Sequence, residues 1–204
     1  SAASDVYKRQ ALEILSIPNA IQDLHYLSGG NVIKPDWLVF SSPTAVAEGL
    51  PQLPPAWLAE ARLAAVGAAT ARALAALLQR PVLHPQGRSD SEALAALPEL
   101  HALAGQGVLI VRGVGGREWL TETLRARGAR VARLECYRRQ RPAADAAPLL
   151  ARWGAGRVHA VSITSAEALS NLVQMLGETG LPLLRATPLF VVHERIAGQA
   201  RALG

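Results

Sequence analysis

The chain has 204 residues, half of them apolar and 18% charged, with a formal net charge of +5; that is enough apolar material for one large or two small buried cores and excludes a disordered chain. Its apolar runs, such as Val108 to Val111 and Leu189 to Val192, fall far short of the roughly 20 residues a membrane-spanning helix needs. One cysteine, Cys136, excludes an internal disulfide, and five singly scattered histidines (His25, His84, His101, His159, His193) suit surface or core positions better than metal ligation, so a cytoplasmic, metal-free protein is expected.

The first ten residues, SAASDVYKRQ, share no pattern with the rest of the chain. From Asp5 to Gln10 they match a translated sequencing-library adaptor, so residues 1–10 are expected to be foreign to the fold. Leu12 to Ile17 predicts a strand stopped by Pro18, and Ile21 to Leu27 a turn or two of helix before Gly29-Gly30. Trp37 to Ser41 reads as a buried strand, with Ser42 placed to cap a helix that Pro43 opens. After the connection PQLPPAW come a helix from Trp57 to Arg62, a strand from Ala64 to Val66, a turn at Gly67 and an Ala/Leu-rich helix from Ala69 to Gln79. Pro81 to Leu83 predicts a short strand, and Ser89 to Ala104 a helix with Glu92 in its first turn. Val108 to Val111 is the most strand-like run. The glycine turn Gly113 to Gly116 leads into a helix from Glu118 to Arg127 that Gly128 closes. Val131 to Tyr137 reads as a strand, followed by the polar run RRQRP. Beyond it come a helix from Ala143 to Trp153, a strand from Val158 to Ile163, a helix from Ser165 to Leu176, a strand from Leu189 to Val192 and a helix from Glu194 to Ala202. Strands alternating with helices predict parallel sheets of the doubly wound kind.

Two segments repeat. Leu38 to Val46 (LVFSSPTAV) and Val161 to Leu169 (VSITSAEAL) are each an apolar strand stopped by two hydroxyl residues before a helix; Ala65 to Leu74 (AVGAATARAL) and Val191 to Ala200 (VVHERIAGQA) form a second matched pair. One α/β design used twice implies a cleft between the copies, where a ligand would sit. The positive charge is local: from Arg112 to Arg141 there are nine arginines against Glu118, Glu122 and Glu135. Arg125, Arg127 and Arg130 fit a solvated helix face. Arg112, Arg117, Arg138 and Arg139 lie at strand ends beside a glycine turn or a domain crossing, where an anion is easier to justify. Only Trp119 and Tyr137 interleave with this stretch, so no stacking platform for nucleic acid is expected.

The segments FSSPTAV (Phe40 to Val46), AVGAATARAL (Ala65 to Leu74), VLIVRGVGGREWLTETLRARGARV (Val108 to Val131), LECYRR (Leu134 to Arg139), SITSAEAL (Ser162 to Leu169) and LFVVHERIAGQARALG (Leu189 to Gly204), in that order and spacing, resemble the uroporphyrinogen-III synthase family. The resemblance implies two similar α/β domains joined by a pair of strands, one domain inserted in the other. The linker strands would fall in residues 11–18 and 133–140, the inserted domain in 19–132. The second domain, 141–204, would lack the family's opening strand and helix and its closing strand and helix. The implied reaction is loss of water from hydroxymethylbilane and ring closure with ring D inverted, by a monomer that needs no cofactor and engages neither nucleic acid nor membrane. A protein that holds a flexible polycarboxylate in reactive shape can supply much of such a barrier by positioning.

Within that resemblance Tyr137 matches the tyrosine of the family's V-x-x-Y-R segment and is the candidate proton donor to the departing hydroxyl; packing in an interdomain strand is its other reading. Ser41, Ser42, Thr70, Thr164 and Ser165 end strands at helix N-termini and are candidate binders of acetate and propionate groups, although each serves equally as a helix cap. Arg112, Gly113, Arg117 and Arg138 complete the candidate substrate-binding set. Ile196 stands where the family pattern often has threonine, and His193 where it has glycine. Two other readings remain: a dinucleotide-binding domain, whose third glycine would fall at Glu118, and a two-lobed small-molecule-binding protein without catalysis.

Overall fold

Four consecutive apolar residues with no polar alternation, Trp37–Phe40, suit a strand covered on both faces, and all four are buried. In the computed structural model, which describes residues 11–22 and 34–204, the described residues divide into two compact units: those of 14–139, and residues 140–204 with residues 11–13.

The unit of residues 14–139 is built on a five-stranded sheet in the order β1-β5-β4-β2-β3, with β1 at Glu13–Ser16, β2 at Trp37–Phe40, β3 at Arg62–Ala65, β4 at Gly107–Gly113 and β5 at Arg130–Gln140. The pairs β2–β3, β2–β4 and β4–β5 are parallel. Alternate side chains feed two cores. Leu38, Phe40, Leu63, Leu109, Val111, Leu134 and Cys136 pack on one face with residues of α1 (Pro43–Gly49), α2 (Pro55–Glu60) and α3 (Ala68–Leu78). Trp37, Val39, Val108 and Ile110 pack on the other with Leu94 of α4 (Ser91–Ala95) and Leu120 and Leu124 of α5 (Trp119–Ala126). Helices on both faces of a largely parallel sheet are what alternating strand and helix signals predict.

Three elements of this unit differ from the sequence reading. The helix expected from Ser89 to Ala104 stops at Ala95 and is followed by a 3₁₀ turn, Pro98–Leu100; Pro98 has no N–H to continue the ladder and disfavours a helical residue before it, and Leu97 is extended at φ −71°, ψ 135°. Pro81 to Leu83 contributes only a single bridge, Ala64 to Leu83. β5 runs three residues past Tyr137, because the polar residues Arg138, Arg139 and Gln140 continue it as extended backbone. Gln79 closes α3 in the left-handed conformation, φ 53°. The expected helix to Leu27 is seen only at residues 20–22; its remainder, the Gly29-Gly30 break and residues 1–10 lie outside the described residues.

In the second unit, α6 (Ala147–Gly154), α7 (Ala166–Arg185) and α8 (Glu194–Arg201) accompany a two-stranded parallel sheet of β6 (Val161–Ile163) and β7 (Leu189–Val191). The core is made of Leu149, Trp153, Ile163, Leu169, Leu172, Leu176, Leu184 and Ile196. The helix predicted to end at Leu176 does break there: Gly177 takes φ 60°, ψ −165° inside α7, and helix resumes to Arg185. Both copies of the repeated segment use one cap: Ser42 Oγ accepts from Ala45 N at 3.0 Å and Ser165 Oγ from Ala168 N at 3.1 Å. In the second matched pair Gly67 precedes α3 with no side-chain cap, whereas His193 Nδ1 accepts from Arg195 N at 3.1 Å. No helix among the described residues is long and apolar enough to cross a membrane.

Candidate active site

β2 and β4 are neighbours in the sheet, yet the chain runs from β2 to β3 on one side and reaches β4 and β5 on the other. Reversals of this kind leave a crevice beyond the carboxyl ends of the strands. A cavity of about 210 Å³ lies there, lined among others by Ser41 and Ser42 after β2, Arg112 and Gly113 at the end of β4, Gly116 and Arg117 of the glycine turn, and Tyr137 and Arg139 of β5.

Tyr137 reaches this place through an irregularity in pairing. Arg112 pairs with Glu135 but Gly113 pairs with Tyr137, so β5 gains one residue on β4, a bulge that re-aims the following side chains. The phenol ring then lies against Gly113, where a Cβ would come within 2.6 Å of Tyr137 Cζ; only glycine leaves it room. The side chain is buried, and its Oη is fixed from two sides: Ser42 Oγ is 3.1 Å away and Arg139 Nη2 donates at 3.0 Å. Ser42 therefore caps α1 and holds the phenol with one oxygen.

Arg112 is buried, with side-chain exposure of 6%, and its guanidinium is occupied by the turn that follows it. It donates to Gly113 O at 3.2 Å, to Arg117 O at 3.3 Å and to Gly116 O, and it pairs with Glu118 at 3.3 Å and Glu135 at 3.6 Å. Its charge builds the glycine turn before it meets any ligand. Arg117 is exposed and makes a bidentate pair with Glu92, at 2.7 and 3.0 Å; this contact holds the Glu92 carboxyl below its usual range. Glu118 carries two partners, Arg112 and Arg133, the latter at 2.6 Å. Its carboxylate stands at the start of α5, where the dinucleotide reading would seat a pyrophosphate.

The structure thus brings together Ser41, Ser42, Arg112, Gly113, Arg117 and Tyr137. Thr70, in the first turn of α3, is buried and is not among the cavity's lining residues. Arg138 is exposed, and strand alternation puts it on the face opposite Tyr137; Arg139 lines the cavity instead. Thr164 and Ser165 belong to the other unit, where Thr164 is exposed and Ser165 caps α7. Arg139 lies outside the sequence-derived candidate set, although the two-residue period counted from Tyr137 selects it. Ser91 and Thr121, also at the cavity, carry no signal in the sequence. Arg127 is more than a solvated surface residue: it donates to Ala95 O at 2.6 Å and Leu100 O at 2.9 Å, clamping the shortened helical segment.

The comparisons agree with this architecture. Uroporphyrinogen-III synthase of Salmonella typhimurium is 45% identical over 109 residues, 52% of this chain and 44% of that protein. The Escherichia coli enzyme of the same name is 44% identical over 108 residues, again 52% of this chain and 44% of its own length. The matched region therefore spans less than half of each of these relatives. Among solved structures, a mutant uroporphyrinogen III synthase from Thermus thermophilus superposes with a TM-score of 0.53 at 20% identity, covering 95% of this chain and 78% of that one. Uroporphyrinogen-III synthetase from Helicobacter pylori superposes with a TM-score of 0.55 at 14% identity, covering 95% and 91%; at these identities both speak to the fold alone. The model of the family described as uroporphyrinogen-III synthase HemD matches residues 12–204, and the chain belongs to the uroporphyrinogen-III synthase family.

Proposed function

We propose that the protein catalyses the family reaction, converting hydroxymethylbilane to uroporphyrinogen III and water, a lyase step of tetrapyrrole synthesis. The C–O bond to the terminal hydroxyl breaks and leaves an electrophilic azafulvene. The substituted carbon of ring D attacks it, and the resulting spiro centre fragments and recloses with ring D inverted. The step is redox-neutral, and the leaving group comes from the substrate. The protein's work is to fold a flexible polycarboxylate into reactive shape and to help the hydroxyl depart.

The observation that carries this reading is that the family match over residues 12–204 contains every residue of the cavity at the β2–β4 reversal. In that cavity Tyr137 is the proposed proton donor. Arg139 donates to its oxygen; when Ser42 donates as well, the phenol O–H is left to point at a ligand. Ser41, Arg117 and Arg139 are proposed to receive substrate carboxylates, Arg117 by exchanging Glu92 for one of them, while Ser42, whose single hydroxyl proton goes to Tyr137, positions the phenol. Arg112 and Gly113 shape the wall. The proposed architecture is two similar α/β domains, one inserted in the other, joined by strands within residues 11–18 and 133–140; Thr164 and Ser165 are proposed to bind carboxylates from the second domain. The test supplies hydroxymethylbilane to the purified protein and separates the oxidised isomers. Isomer III above the isomer I formed by spontaneous closure supports the reading; isomer I alone removes it.

A further inference from the structure

The cavity wall holds one polar group that the fold leaves idle. Thr121 is only 1% exposed, lines the cavity, and its Oγ1 has no hydrogen-bond partner among the described residues. A hydroxyl inside a helix ordinarily donates to the carbonyl four residues back. Here it does not: the Arg117 carbonyl accepts from Arg112 Nη1 at 3.3 Å but makes no bond with Thr121 Oγ1. Buried hydroxyls are nearly always paired, so an orphan in a cavity points to a partner that arrives from outside.

The surroundings define that partner's charge. Thr121 sits in the first turn of α5, whose N-terminus has no side-chain cap, so backbone N–H groups and the positive end of the helix dipole face the same region. Three arginines and no carboxylate line the cavity. Arg112, Arg117 and Arg133 are balanced by Glu118, Glu135 and Glu92, which leaves Arg139, set on the phenol of Tyr137, as the positive charge in excess among these groups. An anion fits this balance and a cation does not.

We infer that Thr121 is a substrate-binding residue whose Oγ1–H donates to a carboxylate oxygen of the ligand seated against the first turn of α5. The inference rests on the synthase reading and names the group by which this chain grips one acidic arm of the substrate. Hydroxymethylbilane kinetics of the wild type, Thr121→Val and Thr121→Ser test it. Valine keeps the shape and removes the hydroxyl. It should raise KM about tenfold through loss of one bond to a charged group while leaving kcat close to the wild-type value. Its melting temperature should not fall, because an unpaired buried hydroxyl has been removed, and serine should restore the wild-type KM. A valine variant with unchanged KM, or a serine variant as impaired as valine, overturns the inference. Affinity for the octacarboxylate uroporphyrin I, read by quenching of its fluorescence, asks the same question without turnover. If the wild type makes no isomer III but binds uroporphyrin in a Thr121-dependent way, the synthase reading fails and the anion subsite stands. Isomer III production with binding and KM indifferent to Thr121 removes the subsite alone.

Discussion

Tyr137 Oη is held between a serine that caps a helix and an arginine two residues along the same strand, so the chemistry of the site turns on how neighbouring residues alternate across β5. Arg139→Ala should raise KM for the substrate, more at low than at high salt because exposed charges are screened; Arg138→Ala, on the opposite face, should change it little, as titrations at two ionic strengths would show. Equal effects would mean that bulk charge, not the cavity, attracts the ligand. The tyrosine was legible in the sequence because it matched a family segment. Arg139 was legible only through strand period, and the polar run after Tyr137 hid that β5 continues. Cys136 packs under the site, and burial pushes its thiol from an ordinary value of 9.0 up to about 11. Its neutral form favours the folded state, so this contribution is complete below pH 9.0 and is lost as pH rises towards about 11. The melting temperature should fall less steeply across that window in Cys136→Ala than in the wild type.

At the scale of elements, the glycine turn after β4 and the bulge in β5 make the site together. Gly113→Ala would put a methyl group 2.6 Å from Tyr137 Cζ. Either the ring shifts or the strands part, at a cost of about 1–3 kcal/mol, with turnover lost alongside; calorimetry and kinetics on one preparation would check both. An alanine variant with unchanged melting temperature and turnover would show that the ring does not depend on this close approach. The helix starts at Pro43 and Ala166 were readable because Ser42 and Ser165 are cap residues and act as such. The helix expected from Ser89 to Ala104 was not, because apolar periodicity runs on through Leu97, Leu100 and Leu103 although Pro98 has broken the hydrogen-bond ladder. Those leucines remain spaced for burial, and Leu100 and Leu103 are fully buried in a 3₁₀ turn and loop. The β5 bulge left no mark in the sequence, since it is a relation between two strands.

Over the whole molecule the two units differ in how their strands are covered. Every residue of β2 and β4 is buried, whereas β6 and β7 have three residues each, and Phe190 and Val192 are 64% and 68% exposed. Opening free energy follows burial and local packing, so amide hydrogen exchange should be slow at Val39 and Ile110 and faster at Ser162 and Phe190; equal protection would contradict this ordering. The doubly wound pattern of the first unit was legible because buried strands alternate with helices along the chain. The second unit's strands are short, and their edges depend on pairings that periodicity does not report. Ring closure is proposed to take place at Tyr137 in the β2–β4 crevice. The isomer ratio formed from hydroxymethylbilane, measured side by side for the wild type and Tyr137→Phe, decides whether it does. The wild type should give isomer III in excess of isomer I, and the phenylalanine variant, still binding uroporphyrin, should form isomer III about a hundredfold more slowly, as loss of a general acid predicts. A phenylalanine variant that makes isomer III at the wild-type rate would return Tyr137 to packing and contradict the claim.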